Sequence, residues 1–401
     1  MLAGGSQPKL SVYVRWRRLT ESESTDGLID HRSRAVNTES LLSVSVKPSE
    51  GNGRPWTSPP AYKAIFSRDD DNATVYDDTV APAIPQVLAG GSCNFFAYGH
   101  SGSGKTHTII GYDFERDRSL GLCLASSRKL FEALDSLNQA DSEIRLGIGF
   151  SLFELRKNTA FDLLNGRTEC HIRQGPDGRT HIRGQTELLE GGKVRVRPLS
   201  QRACWTFEFL RDELIRSFGR RAVGWSSLKI VNEQLVEARD ALIDRESELV
   251  PVGKRATDDR IDEAEAKKAE CETRVAAAES INAILRSSRA KCLGAKTVFV
   301  DLAGSEYHQE KGTQVALMRQ TPQERQEGRR INTDLLALKE VIRAWSSNQP
   351  RIPFRSSPLT MVLREHFLGG GGGTSAMIVT VSPTNHQYSA MLNSLKYGRY
   401  G

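Results

Sequence analysis

The stretch Tyr98–Thr108, YGHSGSGKTHT, decides how the rest of the chain is read. Gly99, Gly104, Lys105 and Thr106 fit the spacing G-x-x-x-x-G-K-[ST], and the apolar run before them, NFFAY, predicts a buried strand that ends where the loop begins. Strand, glycine loop and helix in that order make a phosphate cradle. Glycines let consecutive backbone N–H groups turn inward, with His100, Ser101, Gly102 and Ser103 supplying the span between them. Lys105 reaches the outer phosphates of a nucleoside triphosphate, and the Thr106 hydroxyl is a magnesium ligand.

A second element of such a site is an acidic residue at the end of a buried strand, where its carboxylate holds magnesium through water. KTVFVDLAGSE (Lys296 to Glu306) supplies it: Thr297 to Val300 lead into Asp301, and Gly304 follows where a backbone amide can meet a terminal phosphate. An apolar strand ending in Asp is common, and it gains its meaning beside the phosphate loop.

The bulk numbers fit a large folded chain. Its 401 residues are 38% hydrophobic and 26% charged, enough to bury a full core. Six cysteines lie scattered without a C-x-x-C pair, and no signal-like start or long apolar run is present, which predicts a soluble, reduced, cytoplasmic protein. A net charge of +6 favours an acidic partner, without choosing its kind.

FAYGHSGSGKTHT, VDLAGSE, INTDLLALKEVI (Ile331 to Ile342) and IPFRSSPLT (Ile352 to Thr360) resemble, in order, four signatures of the kinesin motor domain. VYDDTVAPAI, SLFELRKNTAFDLLN and MIVTVSP resemble further blocks of that family, so the likeness runs from about Ser11 to Tyr400. Arg319 to Trp345 looks most similar to the internal-motor, microtubule-depolymerising branch. The resemblance implies a single α/β domain over 1–401, with a mostly parallel central sheet flanked by helices. It implies ATP and magnesium as ligands, Lys105, Gly304 and Glu306 in the catalytic site, and microtubules (tubulin) as partner, with no nucleic acid or membrane. The expected place is the cytoskeleton.

One family element is altered. Kinesins place N-x-x-S-S-R-S-H before a strand that pairs with the one entering D-L-A-G. Leu285–Cys292, LRSSRAKC, matches part of it, but only 13 residues separate Ser288 from Asp301, where two strands and a turn need about 20. The favoured register is RRAVGWSSLKIVNEQ (Arg220 to Gln234), with Ser226 and Ser227 as switch serines, Ser227 as a metal ligand, and LKIVN opening the strand. Leu228 then stands where the family has arginine, which leaves Glu306 without its usual partner unless Arg220, Arg221 or Arg289 replaces it. The rival reading this raises is a non-cycling module that holds nucleotide but hydrolyses little.

VYVRWRRLTESE (Val12 to Glu23) resembles the family's first strand and adenine turn, with Arg15 and Arg18 on the nucleotide and His107 on the opposite face. Arg18 replaces the family's proline, and its mobile side chain is expected to weaken the base contact. VRVRPL (Val194 to Leu199) repeats the letters too late in the chain and reads as an edge strand. Residues 235–293 read as a helical-hairpin insertion: Leu235, Leu242 and Leu249 recur at seven, and Pro251 and Gly253 mark the turn. Lys311, Arg319, Arg325, Arg329, Arg330, Arg343, Arg351, Arg355 and Arg364 form the basic stretch expected to face tubulin, with Pro358 in place of the family's lysine.

Overall fold

Hydrophobic runs without polar alternation make strands that can be covered on both faces, and such runs dominate the sheet that carries the loop. The computed structural model describes residues 10–23, 27–35, 41–48, 54–141, 143–156, 159–174, 180–188, 194–217, 224–252, 258–304, 321–347, 349–368 and 373–399. They group into two units, one made of Met1–Ala83, Cys93–Ser126 and Phe299–Gly401, the other of Ile84–Ser92 and Ser127–Val298.

The first unit holds β1 (Leu10–Trp16), a small antiparallel sheet of β2 (Asp30–Ala35), β3 (Leu42–Lys47) and β4 (Trp56–Thr57), then β5 (Ala64–Phe66) and β6 (Ser92–Tyr98). Its main sheet is completed by the end of β14 (Lys296–Asp301) and by β15 (Ser375–Val381), in the order β14-β6-β15-β1-β5. Val14 lies beside Val379, Met377 beside Phe96 and Tyr13 beside Ala64, all in parallel register. Phe95 stacks on Phe299 at 5.3 Å, and Tyr98 on Tyr397 at 3.8 Å. Phe95, Ala97, Val300 and Val379 are fully buried, so the strands are fixed by packing on both sides. β6 and β14 therefore deliver Tyr98 and Asp301 at defined points.

The second unit is antiparallel. Strands β7 (Leu146–Arg156), β8 (Thr159–Asp162), β9 (Thr168–Gln174), β10 (Thr180–Leu188) and β11 (Val194–Pro198) follow one another, while β12 (Arg202–Cys204) and β13 (Trp225–Asn232) also pair with β7. The α/β class anticipated from the sequence holds, with the parallel pairs in the first unit and antiparallel pairs here. β11 carries VRVRP, pairs with β10 alone and ends the order, which is the edge position anticipated for it.

Two helices, Glu233–Val252 and Asp258–Ser288, pack on each other. Arg239 ties them together through Glu279 at 2.7 Å. The first helix runs through Pro251, so that proline lies inside its last turn; Gly253 falls outside the described residues. All six cysteines are buried free thiols. Among the described residues no helix is long and apolar enough to cross a membrane.

Candidate nucleotide site

β6 ends at Tyr98 and the helix Lys105–Ile109 begins seven residues later, so the loop Gly99–Gly104 is clamped between rigid elements. A Cβ on Gly99 would sit 2.3 Å from the Thr380 carbonyl oxygen and 2.5 Å from Ser103 Oγ, so no other residue fits there. Gly104, at φ +96°, takes the left-handed conformation that lets the helix start directly behind the loop. Ser103 Oγ meets Thr380 Oγ1 at 2.7 Å and pins the loop to β15.

Lys105 is buried and folded onto its own loop, its ammonium donating to the carbonyls of Gly99 at 3.0 Å and His100 at 2.8 Å. Burial lowers it to about 8, with the Asp301 charge opposing that shift. Thr106 Oγ1 donates to Asp301 Oδ2 at 2.5 Å. Asp301 is fully buried and its Oδ1 meets no donor among the described residues. Burial raises this carboxyl to about 6, against the Thr106 hydrogen bond and Lys105, which lower it. A Cβ on Gly304 would stand 2.8 Å from Ser101 N and 3.2 Å from Lys105 Nζ, so the chain after β14 lies directly against the loop.

His100 is buried and lowered to about 4, chiefly by desolvation. Its ring is therefore neutral at pH 7, with Nδ1 donating to the Ser101 carbonyl at 2.9 Å and Nε2 accepting from the Ser382 N–H at 3.3 Å. The loop is thus held by neutral groups, and Lys105 is its cation.

Beside it opens a cavity of about 560 Å³ lined by Arg18, Thr20, Asp71, Gly104, His107 and Tyr112, among others. Arg15 is buried and donates to Thr108 Oγ1 at 2.8 Å; burial lowers it to about 10, which leaves it cationic at pH 7. Arg18, expected from the sequence to be mobile, finds backbone acceptors here. Its Nε and NH2 donate to the carbonyls of Arg68 at 3.3 Å and Asp69 at 3.2 Å, because the turn before Asp70 brings two acceptors under the guanidinium. His107 is lowered to about 4, by burial first and then by Arg15 and Arg18, and so presents a neutral ring.

Two features escaped the sequence reading. Tyr112, 67% exposed, sets its ring 5.9 Å from His107 on the cavity wall. Arg17 forms a two-pronged pair with Glu23, at 2.6 and 2.5 Å, and also donates to Ser382 Oγ at 3.0 Å. Glu23 in turn accepts from the Thr20 N–H at 3.0 Å, the T-x-x-E capping pattern that could have revealed the pair.

The two serines that the sequence assigns to the switch lie in the second unit. Ser226 and Ser227 are ladder residues of β13, opposite Leu152 and Ser151, so the strand starts before them and not after. Ser226 is fully enclosed and its Oγ has no partner among the described residues. Leu228 is buried opposite Phe150. Ser287 and Ser288 end a helix and bond back to the Ile284 carbonyl, while Arg289 pairs with Asp141 at 2.7 Å. Glu306, Arg220, Arg221, Lys311 and Arg319 fall outside the described residues. Pro358 opens the helix Pro358–Leu368 at the position where proline costs no hydrogen bond, capped by Ser357 Oγ accepting from the Thr360 N–H.

The donor set fits a magnesium nucleotide. Asp301 Oδ1 is an unsatisfied buried acceptor beside a hydroxyl and an ammonium, and Gly99 and Gly104 leave open a cradle that larger residues would disturb. Among the described residues no cluster of three or more His, Cys, Asp or Glu side chains forms a separate metal site.

The family described as kinesin motor domain matches residues 15–199 and 274–400. Two solved structures align over 98% of this chain. One, described as mutants revealing a signalling pathway for activation of the kinesin motor ATPase, is covered over 97% of its length at TM-score 0.64 and 18% identity. The other, a KIF14 dimer in a two-heads-bound state with AMP-PNP in complex with a microtubule, is covered over 93% at TM-score 0.64 and 21% identity.

Proposed function

Since this chain belongs to the kinesin motor domain family, we propose that it is a nucleotide-driven motor domain that binds microtubules and hydrolyses ATP. The observation that carries the reading is the convergence of Lys105, Thr106, Asp301 and Gly304 on one loop. A microtubule complex of a relative of the same fold supports the partner. So do Arg325, Arg329, Arg330 and Arg343, all exposed along the helix Pro322–Ser346, where an acidic filament attracts them and salt weakens the contact.

In this reading Lys105 leaves its two loop carbonyls for the outer phosphates and offsets charge that grows there during hydrolysis. The loop amides hold the phosphate chain, and the Gly304 amide marks the terminal phosphate. Thr106 and Asp301 would hold magnesium, which supplies charge neutralisation between the outer phosphates when bound. Arg15, Arg18, His107 and Tyr112 frame the base. Glu306 is assigned to position the attacking water. The output is movement along the filament or loss of tubulin from its ends.

Steady-state ATPase with and without microtubules tests this. Stimulation of about tenfold or more is expected, and gliding and microtubule-turbidity assays then identify the output. A second reading, a nucleotide-holding module that does not cycle, is favoured by the enclosure of Ser226 and by the buried Leu228. Tight binding of a magnesium nucleotide with flat turnover would establish it.

A further inference from the structure

A second cavity, also of about 560 Å³, lies wholly within the second unit, between β13 and the two packed helices. Its origin is in the sequence. On β7 the residues Gly147, Gly149 and Ser151 share one face by the two-residue repeat of a strand, and they stand opposite Val231, Lys229 and Ser227 of β13. Gln201 and Trp205 cover the two glycines, but no large β7 side chain rises beside Lys229. Val231, Leu235, Val236 and Ile243 supply an apolar wall.

Lys229 points a cation into this space without an ion-paired carboxylate among the described residues. Its ammonium makes no hydrogen bond or ion pair with any described residue. The carboxylate whose charge acts on it, Glu279, is already engaged by Arg239 at 2.7 Å. Lys296 and Arg239 add like charge, and Asp240 and Arg286 sit on exposed positions of the helices. Burial, followed by those two cations, lowers Lys229 to about 8. A half-buried ammonium beside an apolar wall is costly unless an anion offsets it, and a cavity of this size that joins an apolar wall to a polar rim, here Ser151, Gln201, Asn232 and Asn282, is typical of small-molecule sites.

We propose that this cavity binds a small amphipathic anion, a carboxylate or sulfonate on an apolar body, with Lys229 as its counter-ion. The ligand's apolar part lies along Val231, Val236 and Ile243.

The test is a fluorescence titration of the full chain with 1-anilinonaphthalene-8-sulfonate. Saturable one-to-one binding is expected, displaced by octanoate and not by octyltrimethylammonium. Lys229→Met should weaken binding about tenfold and Lys229→Arg should keep it, as removal of one charge-assisted contact requires. Val236→Phe, which fills the cavity and leaves the charge, should also weaken binding, and melting curves confirm that each variant folds. Absence of saturable binding, equal displacement by the cation, or unchanged affinity in both Lys229→Met and Val236→Phe overturns the proposal.

Discussion

The Thr106 hydroxyl donates to Asp301 Oδ2 across 2.5 Å, while the other oxygen of that carboxylate is buried without a donor among the described residues. Burial raises Asp301 to about 6. An aspartate raised above its unfolded value of about 4 weakens the fold as it ionises, so the cost appears as pH rises from 4 through 6. Asp301→Asn should therefore raise the Tm of the nucleotide-free chain at pH 7 by about 2–4 °C. The gain should fall to about half at pH 5 and vanish by about pH 4, and magnesium-dependent nucleotide affinity should fall at pH 7 and pH 5 alike. Calorimetry at the two pH values, with a fluorescent ATP titration, checks this.

Glu23 is held to about 2 by its hydrogen bond with Arg17, with further donors from Thr20. A lowered carboxylate stabilises above its unfolded value and loses that contribution as pH falls through the folded one. Glu23→Gln should lower Tm at pH 7, and the deficit should shrink between pH 4 and 2. Nucleotide affinity should drop as well, since Arg17 Cβ lies 3.2 Å from the point where a Gly104 Cβ would stand. Thermal melts across that pH range decide it.

Tyr112 and His107 face the same cavity, one exposed and one neutral. If the base stacks there, Tyr112→Ala should weaken ATP binding about tenfold, the scale of one lost base-to-ring contact, and Tyr112→Phe should not. Equilibrium titration of both variants separates stacking from a role of the phenol.

Ser226 carries an enclosed hydroxyl with no partner among the described residues. An unsatisfied buried donor costs stability, so Ser226→Ala should leave Tm unchanged or higher, with turnover within about twofold of the parent. A collapse of microtubule-stimulated turnover would show instead that β13 rearranges to present this hydroxyl during the cycle.

The phosphate loop and the Asp301 strand were legible because both are local: each residue type has its own chemical reason at a fixed spacing. What the sequence hid is long-range. Ser103 meets Thr380, Arg17 meets Ser382 and Arg18 meets two carbonyls some fifty positions away. Tyr112 follows the loop helix without any motif. The family register places Ser226 and Ser227 before the strand that LKIVN opens. Pairing with β7 extended the ladder over them, as tertiary contacts override local preference. Pro251 likewise read as a turn and lies in a helix's last turn.

The buried cysteines give this chain a built-in reporter of breathing. Desolvation keeps Cys204 up at about 12 and Cys170 at about 11, so scarcely any thiolate exists while the surrounding strands stay shut. A maleimide reacts with each sulfur only as often as its neighbourhood parts. Mass spectrometry of the labelled positions would therefore rank the strands and helices by how readily they open, with no engineered probe.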